Sequence, residues 1–142
     1  GLSVIQQDLN RGLSNFNDRQ FDTVIMTQTL QAIRRPDLAL SEMLRVGREA
    51  IVTFPNFAYI RNRIQLGLAG HMPVNPQLPN PWYDTPNIHL STFRDFEELC
   101  QTLSIRILDK DTSNLSGKRT WLGTVWPNLF GEVAVYRLTK ES

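Results

Sequence analysis

The stretch FDTVIMTQTLQAIRRPDLALSEMLRVGREAIVTFPNF, residues 21–57, decides the fold class. Phe21 to Thr27 is a β-branched and apolar run, and its apolar character is continuous rather than alternating. Such a run predicts a strand in a sheet covered on both faces. Arg35-Pro36 opens a helix, since proline suits the first helical position, where its missing N–H costs nothing. Leu40, Met43, Leu44 and Gly47 then recur at helical spacing with Leu38 beside them, and Gly47 is a natural stop. Glu49 to Phe54 (EAIVTF) is a second buried strand, closed by Pro55-Asn56. Strand, helix, strand makes a βαβ unit with a right-handed crossover expected. The fold class is α/β.

Working outward, Ser3 to Gln7 reads as an earlier strand ending at Asp8, followed by a polar, turn-rich stretch from Asn10 to Asn17. On the other side, Ala58 to Leu68 reads as a helix with Ile60, Ile64 and Leu68 as its buried stripe and Gly70 as its exit. Residues 71–90 break the pattern. Five of the eight prolines fall there, with Trp82 and Tyr83 among them, so an ordered, packed loop is expected. Thr92 can cap the next helix with Asp95 as capping-box partner, and Phe93, Phe96, Leu99, Cys100 and Leu103 form its apolar face. Ile105 to Leu108 is a strand, Lys110 to Arg119 a polar connection, and Trp121 to Phe130 an apolar, irregular one. Glu132 to Thr139 closes the chain as a strand. Residues 1–142 read as one domain, an α/β sheet ending in an antiparallel hairpin.

Composition narrows the function classes. Fifteen basic against fourteen acidic residues leave +1, so no field points to nucleic acid or an anionic membrane. One cysteine excludes an intramolecular disulfide framework, and two histidines without an acidic cluster make a poor metal site. The apolar runs are too short to span a bilayer, and the first residues lack a signal-peptide pattern, so the expected home is the cytoplasm.

The chemistry-bearing candidates are few. No G-x-S-x-G, G-x-x-x-x-G-K-[ST] or G-x-G-x-x-G motif occurs. In an open α/β sheet, ligands bind outside the carboxyl ends of the strands. Asp8 ends its strand and can hydrogen-bond a ligand or serve as an ordinary turn carboxylate; Asp22 begins its strand and belongs at the opposite edge. Thr27-Gln28-Thr29-Leu30-Gln31 lies where the crevice opens and is either a ligand-contacting loop or a polar strand exit. Asn56, at the same edge, reads as a helix cap before a catalytic group. His89 is a general base or a hydrogen-bonding pin for its loop. Cys100 reads as a small core hydrophobe.

The stretch from Phe21 to Val74 together with PWYDTPNIHLSTFRDFEELC (residues 81–100) closely resembles the MetW family of methionine biosynthesis proteins. TLQ after the strand, VTFPNF, and the loop W-Y-x-T-P-N-I-H-L-x-T carry that likeness over nearly the whole chain. The resemblance implies a Rossmann-like class I S-adenosylmethionine-dependent methyltransferase fold, a mostly parallel sheet with an antiparallel C-terminal strand. Its sheet order is 3-2-1-4-5-7-6. VIQQD would be the third strand, TVIMT the fourth, EAIVTF the fifth, IRIL the sixth and EVAVYRLT the seventh. Asp8 and Leu9 would lie beside the adenine, and Thr27, Gln28, Thr29 and Leu30 would line the cofactor crevice. The family's D-L-G-C-G-D-G loop and the acidic end of its second strand do not occur in this sequence. The expectation is therefore an N-terminally truncated domain lacking its first two strands, with weak S-adenosylmethionine binding. A bare edge on TVIMT should then invite self-association. The resemblance also implies action with a homoserine O-acyltransferase, with Trp82, Tyr83 and His89 on a loop that serves as partner surface or lid. The alternative is a methyltransferase with an unknown acceptor.

Overall fold

The computed structural model describes residues 8–114, 118 and 120–140. The expected strand Ser3 to Gln7 lies outside the described residues. The elements are β1 (Phe21–Thr27), α1 (Pro36–Val46), β2 (Gly47–Pro55), α2 (Ile60–Ile64), α3 (Phe93–Thr102), β3 (Ile105–Ser113), α4 (Trp121–Val125), α5 (Pro127–Phe130) and β4 (Val133–Lys140). Short 3₁₀ turns at Leu9–Arg11 and Leu30–Ala32 and a π-helical segment at Gln65–Ala69 complete them.

The expected βαβ unit forms. Pro36 stands in the first turn of α1 with Asp37 beside it, and Arg45 in the last turn complements the helix dipole. Gly47 then lets the helix pass directly into β2, because a Cβ there would meet Val24 Cγ2 at 2.6 Å. β1 and β2 pair in parallel, from Phe21 opposite Gly47 to Thr27 opposite Thr53. The sheet order is β1-β2-β4-β3, and β4 runs antiparallel to both of its neighbours. The C-terminal strand thus slots between the two preceding ones, the 4-5-7-6 half of the order that the resemblance implies. The capping box at the head of α3 is also present: Asp95 N–H donates to Thr92 Oγ1 and Thr92 N–H donates to Asp95 Oδ2 at 2.9 Å.

One core lies against one face of this sheet. Met26, Val52, Phe54, Tyr136 and Leu138 meet Leu40 and Met43 of α1 and Phe93, Phe96 and Cys100 of α3. Phe54 stacks on Tyr136, with ring centroids 6.0 Å apart, and lies 4.9 Å from Phe96. Each such side chain contributes about 1.5–3 kcal/mol by leaving water. The alternate side chains, Ile25, Thr27, Glu49 and Arg137, point to the other face and are exposed or half-buried.

Five expectations need correcting. β1 is not covered on both faces: Met26 is its one buried residue and Ile25 is 64% exposed, because the core occupies a single side. Leu38 is likewise exposed on α1, off the stripe formed by Leu40, Met43 and Leu44. Ile64 and Leu68 do not form a buried stripe: both are exposed, and the residue that α2 turns inward is Asn62, held there by hydrogen bonds to the turn at Asn56 and Phe57. Gly70 does end the π-helical segment, in the left-handed conformation. Finally, β3 runs through Lys110 to Ser113, since pairing with Val133–Tyr136 overrides the polar character of those residues. Residues 121–130 form α4 and α5 rather than an irregular connection.

Candidate functional site

The carboxyl ends of β1 and β2 lie side by side, and the two segments that leave them differ in kind. At the end of β1, Gln28 takes a left-handed backbone, φ 47°, that a residue with a Cβ rarely adopts. Its N–H donates to the carbonyl of Thr53 at 2.9 Å and to Thr53 Oγ1 at 3.1 Å, which holds the exit against β2. Thr29 Oγ1 donates back to the Thr27 carbonyl at 2.8 Å. Leu30 turns into the core. Gln31 is 8% exposed; its Nε2 donates to the Gln28 carbonyl at 2.8 Å, and its Oε1 is buried with no hydrogen-bond partner. Thr27 and Gln28, with Thr53, Ser113, Asn114 and Val135, line an open cleft of about 500 Å³.

The 71–90 loop is fastened to this exit. The carbonyl of Gln31 accepts from both Ile88 N–H and His89 N–H at 3.0 Å, and His89 Nε2 lies 3.3 Å from the Arg34 carbonyl. His89 therefore sits as a tether between the loop and the segment that follows β1. At the loop's other end, Asn75 and Leu78 exchange two backbone hydrogen bonds of 3.0 Å, and Leu78 is buried. Trp82 and Tyr83 stand outward from this frame, edge to face at 5.7 Å.

The exit of β2 is closed by amides. Asn56 is fully buried; its Nδ2 donates to the Gly131 carbonyl at 2.8 Å and to the Asn128 carbonyl at 3.1 Å, and its Oδ1 accepts from Ala58 N–H. It fastens a turn and α5 rather than capping α2, whose first flanking residue is Tyr59. Asn62 continues the network by donating to the Phe57 carbonyl and accepting from Asn75 Nδ2 at 2.7 Å. Asn62 was not among the sequence candidates: it lies between Arg61 and Arg63, off the Ile60, Ile64 and Leu68 stripe, and no local spacing marks it.

Asp8 and Leu9 lie elsewhere. Asp8 Oδ1 accepts from the backbone N–H of Asn10 at 2.9 Å and from its side chain at 3.1 Å. The backbone bond, then the side-chain bond, hold the carboxyl below its ordinary range. Asn10 Oδ1 accepts from Arg34 N–H, so this turn packs at the head of α1, where Leu9, Ile33 and Leu38 line a second groove of about 460 Å³. The six residues that the resemblance associates with a cofactor thus fall around two clefts, with Leu30 inside the core. Asp22 sits at the opposite edge, exposed, 3.7 Å from Arg48.

Among the described residues no titratable side chain lines the cleft at the β1 exit, whereas Glu42 and three arginines, Arg11, Arg34 and Arg35, line the groove at the head of α1. Cys100 is buried against the aromatic core and its thiol is pushed up to about 12, first by burial and then by Glu97. Burial, followed by the hydrogen bond to Glu97 at 2.8 Å, raises the Tyr136 hydroxyl far above its ordinary value. Among the described residues, no group of three or more His, Cys, Asp or Glu side chains could hold a metal ion. What the β1 exit offers a ligand is hydrogen bonding and shape.

Comparison with known proteins bears on the reading. The family model described as "Methionine biosynthesis protein MetW" matches residues 1–138. Over 112 residues, 78% of this chain, it is 43% identical to the bifunctional methionine biosynthesis protein MetXA/MetW of Rhodopirellula baltica, of whose length it spans 18%. Among solved structures, an S-adenosylmethionine-dependent methyltransferase from Aquifex aeolicus superposes with TM-score 0.57 at 13% identity, over 96% of this chain and 53% of that one. One from Clostridium acetobutylicum gives 0.54 at 12%, over 96% and 63%. The 4+2 cyclase SpnF gives 0.55 at 15%, over 98% and 56%. These structural likenesses establish the methyltransferase fold; they include a protein named for other chemistry.

Proposed function

This chain belongs to the MetW family of methionine biosynthesis proteins, and from that premise we propose that it serves the pathway in the cytoplasm as an accessory factor of a homoserine O-acyltransferase. The observation that carries the proposal is the bifunctional relative, whose name joins MetXA and MetW in one methionine biosynthesis protein. We take MetXA as the acyltransferase half; two activities in one polypeptide work at a high effective concentration. The cleft at the β1 exit is lined by hydrogen-bonding and apolar groups, which suits a binding role.

The second reading, methyl transfer from S-adenosylmethionine, is favoured by the fold. The residues present do not fit that cofactor by themselves. Asn10 takes up Asp8 Oδ1, and Leu30 is buried rather than lining a crevice. The sequence contains no glycine-rich loop through which backbone could approach the cofactor's methionine end.

Association with a second copy belongs to the same proposal. Among the described residues β1 has no partner on its outer edge, and Phe21 and Ile25 stand exposed there. A mass that rises with concentration in sedimentation supports this pairing; a monomer at every dilution overturns it.

The test of the main proposal is the rate of homoserine acylation by the purified acyltransferase with and without this chain. A saturable rise or fall in rate supports the accessory role. An unchanged rate, with no complex formed, overturns it.

A further inference from the structure

Exposed apolar surface is concentrated in one part of this molecule. Among the described residues, nine of the sixteen large apolar side chains that stand exposed fall within residues 64–90. Trp82 and Tyr83 are 73% and 74% exposed and touch each other, and Leu68 is 86% exposed. Beside Trp82, Met72 and Leu90 border a recess of about 80 Å³ with Phe57 and Leu78 in its lining. Single exposed hydrophobes need no explanation, whereas a clustered set marks a binding surface.

This surface is also held in shape. Asn75 is bonded to the buried Asn62, which is bonded in turn to the turn at Asn56 and Phe57. The far end of the loop is tied to Gln31 by two backbone bonds. Two large aromatic side chains on a frame fastened at both ends lose little freedom on docking, the condition under which Trp and Tyr become binding hot spots.

Residues 50–93 carry two arginines against one carboxylate, a net positive balance. Arg61 and Arg63 are exposed on α2, just ahead of the apolar segment, and Asp84 is the one carboxylate in residues 50–93. A surface complementary to it is apolar at the centre and acidic at the edge.

We infer that the Trp82–Tyr83 pair and the recess beside it are the surface on which the acyltransferase docks, placing an apolar side chain between Met72, Trp82 and Leu90 and carboxylates toward Arg61 and Arg63. This rests on the accessory reading above. Docking here is compatible with an open cleft at Thr27 and Gln28, because the loop reaches the β1 exit through backbone bonds at Ile88 and His89 and leaves Trp82 and Tyr83 outward.

The experiment is calorimetric titration of the acyltransferase with the full chain and with Trp82→Ala, Tyr83→Ala and, as a control, Trp121→Ala, which removes an equally exposed tryptophan on α4. Trp82→Ala should weaken binding roughly tenfold or more and Tyr83→Ala somewhat less, with unchanged melting temperatures, while Trp121→Ala binds as the parent does. Binding of the parent should also weaken as salt is raised. Parent-like binding by Trp82→Ala and Tyr83→Ala overturns the surface while leaving the accessory role standing. So does an equal loss from Trp121→Ala. Intact binding with a lost effect on acylation assigns the pair to a lid and also overturns docking. No binding by the parent chain removes the accessory reading itself.

Discussion

The exits of β1 and β2 leave neighbouring strands at the same edge and do different work. The first, Thr27 to Gln31, is polar at four of its five positions; the second, Pro55 to Tyr59, is mostly apolar around the buried Asn56. At β2, every polar atom of the Asn56 side chain is used inside the protein, and the segment is sealed under α5. At β1, Gln28 holds a backbone conformation costly for its type, Gln31 keeps a buried oxygen without a partner, and Thr27 and Gln28 face an open cleft. A segment that carries strain beside a cleft is the kind that serves a ligand or a partner; one whose exit side chain has its hydrogen bonds closed, as Asn56 does, serves the fold.

Substitutions should separate the two. Asn56→Ala should have the largest effect, a loss of about 3 kcal/mol in chemical denaturation, because several buried backbone groups lose their partner together. A cost below about 1 kcal/mol would place Asn56 among ordinary turn residues. Gln28→Gly should instead raise stability by about 0.5 kcal/mol, the relief of left-handed strain exceeding glycine's added freedom when unfolded. A loss comparable to that of Asn56→Ala would erase the distinction between the exits.

A pH series provides a control away from both. Arg45 holds the Glu42 carboxyl below its ordinary 4.5, against desolvation and with help from the Leu13 N–H. A carboxyl lowered on folding adds stability above its unfolded value and loses it as pH falls through the folded one. Stability should therefore decline between about pH 5 and pH 3, less steeply in Glu42→Gln, with the difference small because the pair is partly solvated. The smallest effect is expected from S-adenosylmethionine: calorimetric titration into this chain should give no saturable heat. Micromolar binding would mean that the two clefts close into one site.

Much of the frame was legible because its causes are local. Proline at the head of α1, glycine at its end, and threonine with aspartate three residues on at α3 act within one turn. The position of the β1 exit followed from a rule about strand ends. The special character of that exit did not, since the left-handed Gln28 depends on Thr53 across the pair and the tether at Gln31 on residues of a distant loop. Asn56 read as a local cap for the same reason: its partners near Gly131 come from the far end of the chain. Burial of β1 was misjudged because an apolar run shows what a strand could cover, while the packing of α1 and α3 decides which side is covered.

Native-state hydrogen exchange tests the contrast most directly. The amides of Asn56 and Ala58, bonded to Glu132 and to Asn56 Oδ1, should exchange only through global unfolding. Those of Gln28, Ile88 and His89 should exchange much faster, through local opening of the β1 exit and its tethered loop. Equal protection at the two sets of amides would contradict the account, making both exits part of one rigid edge.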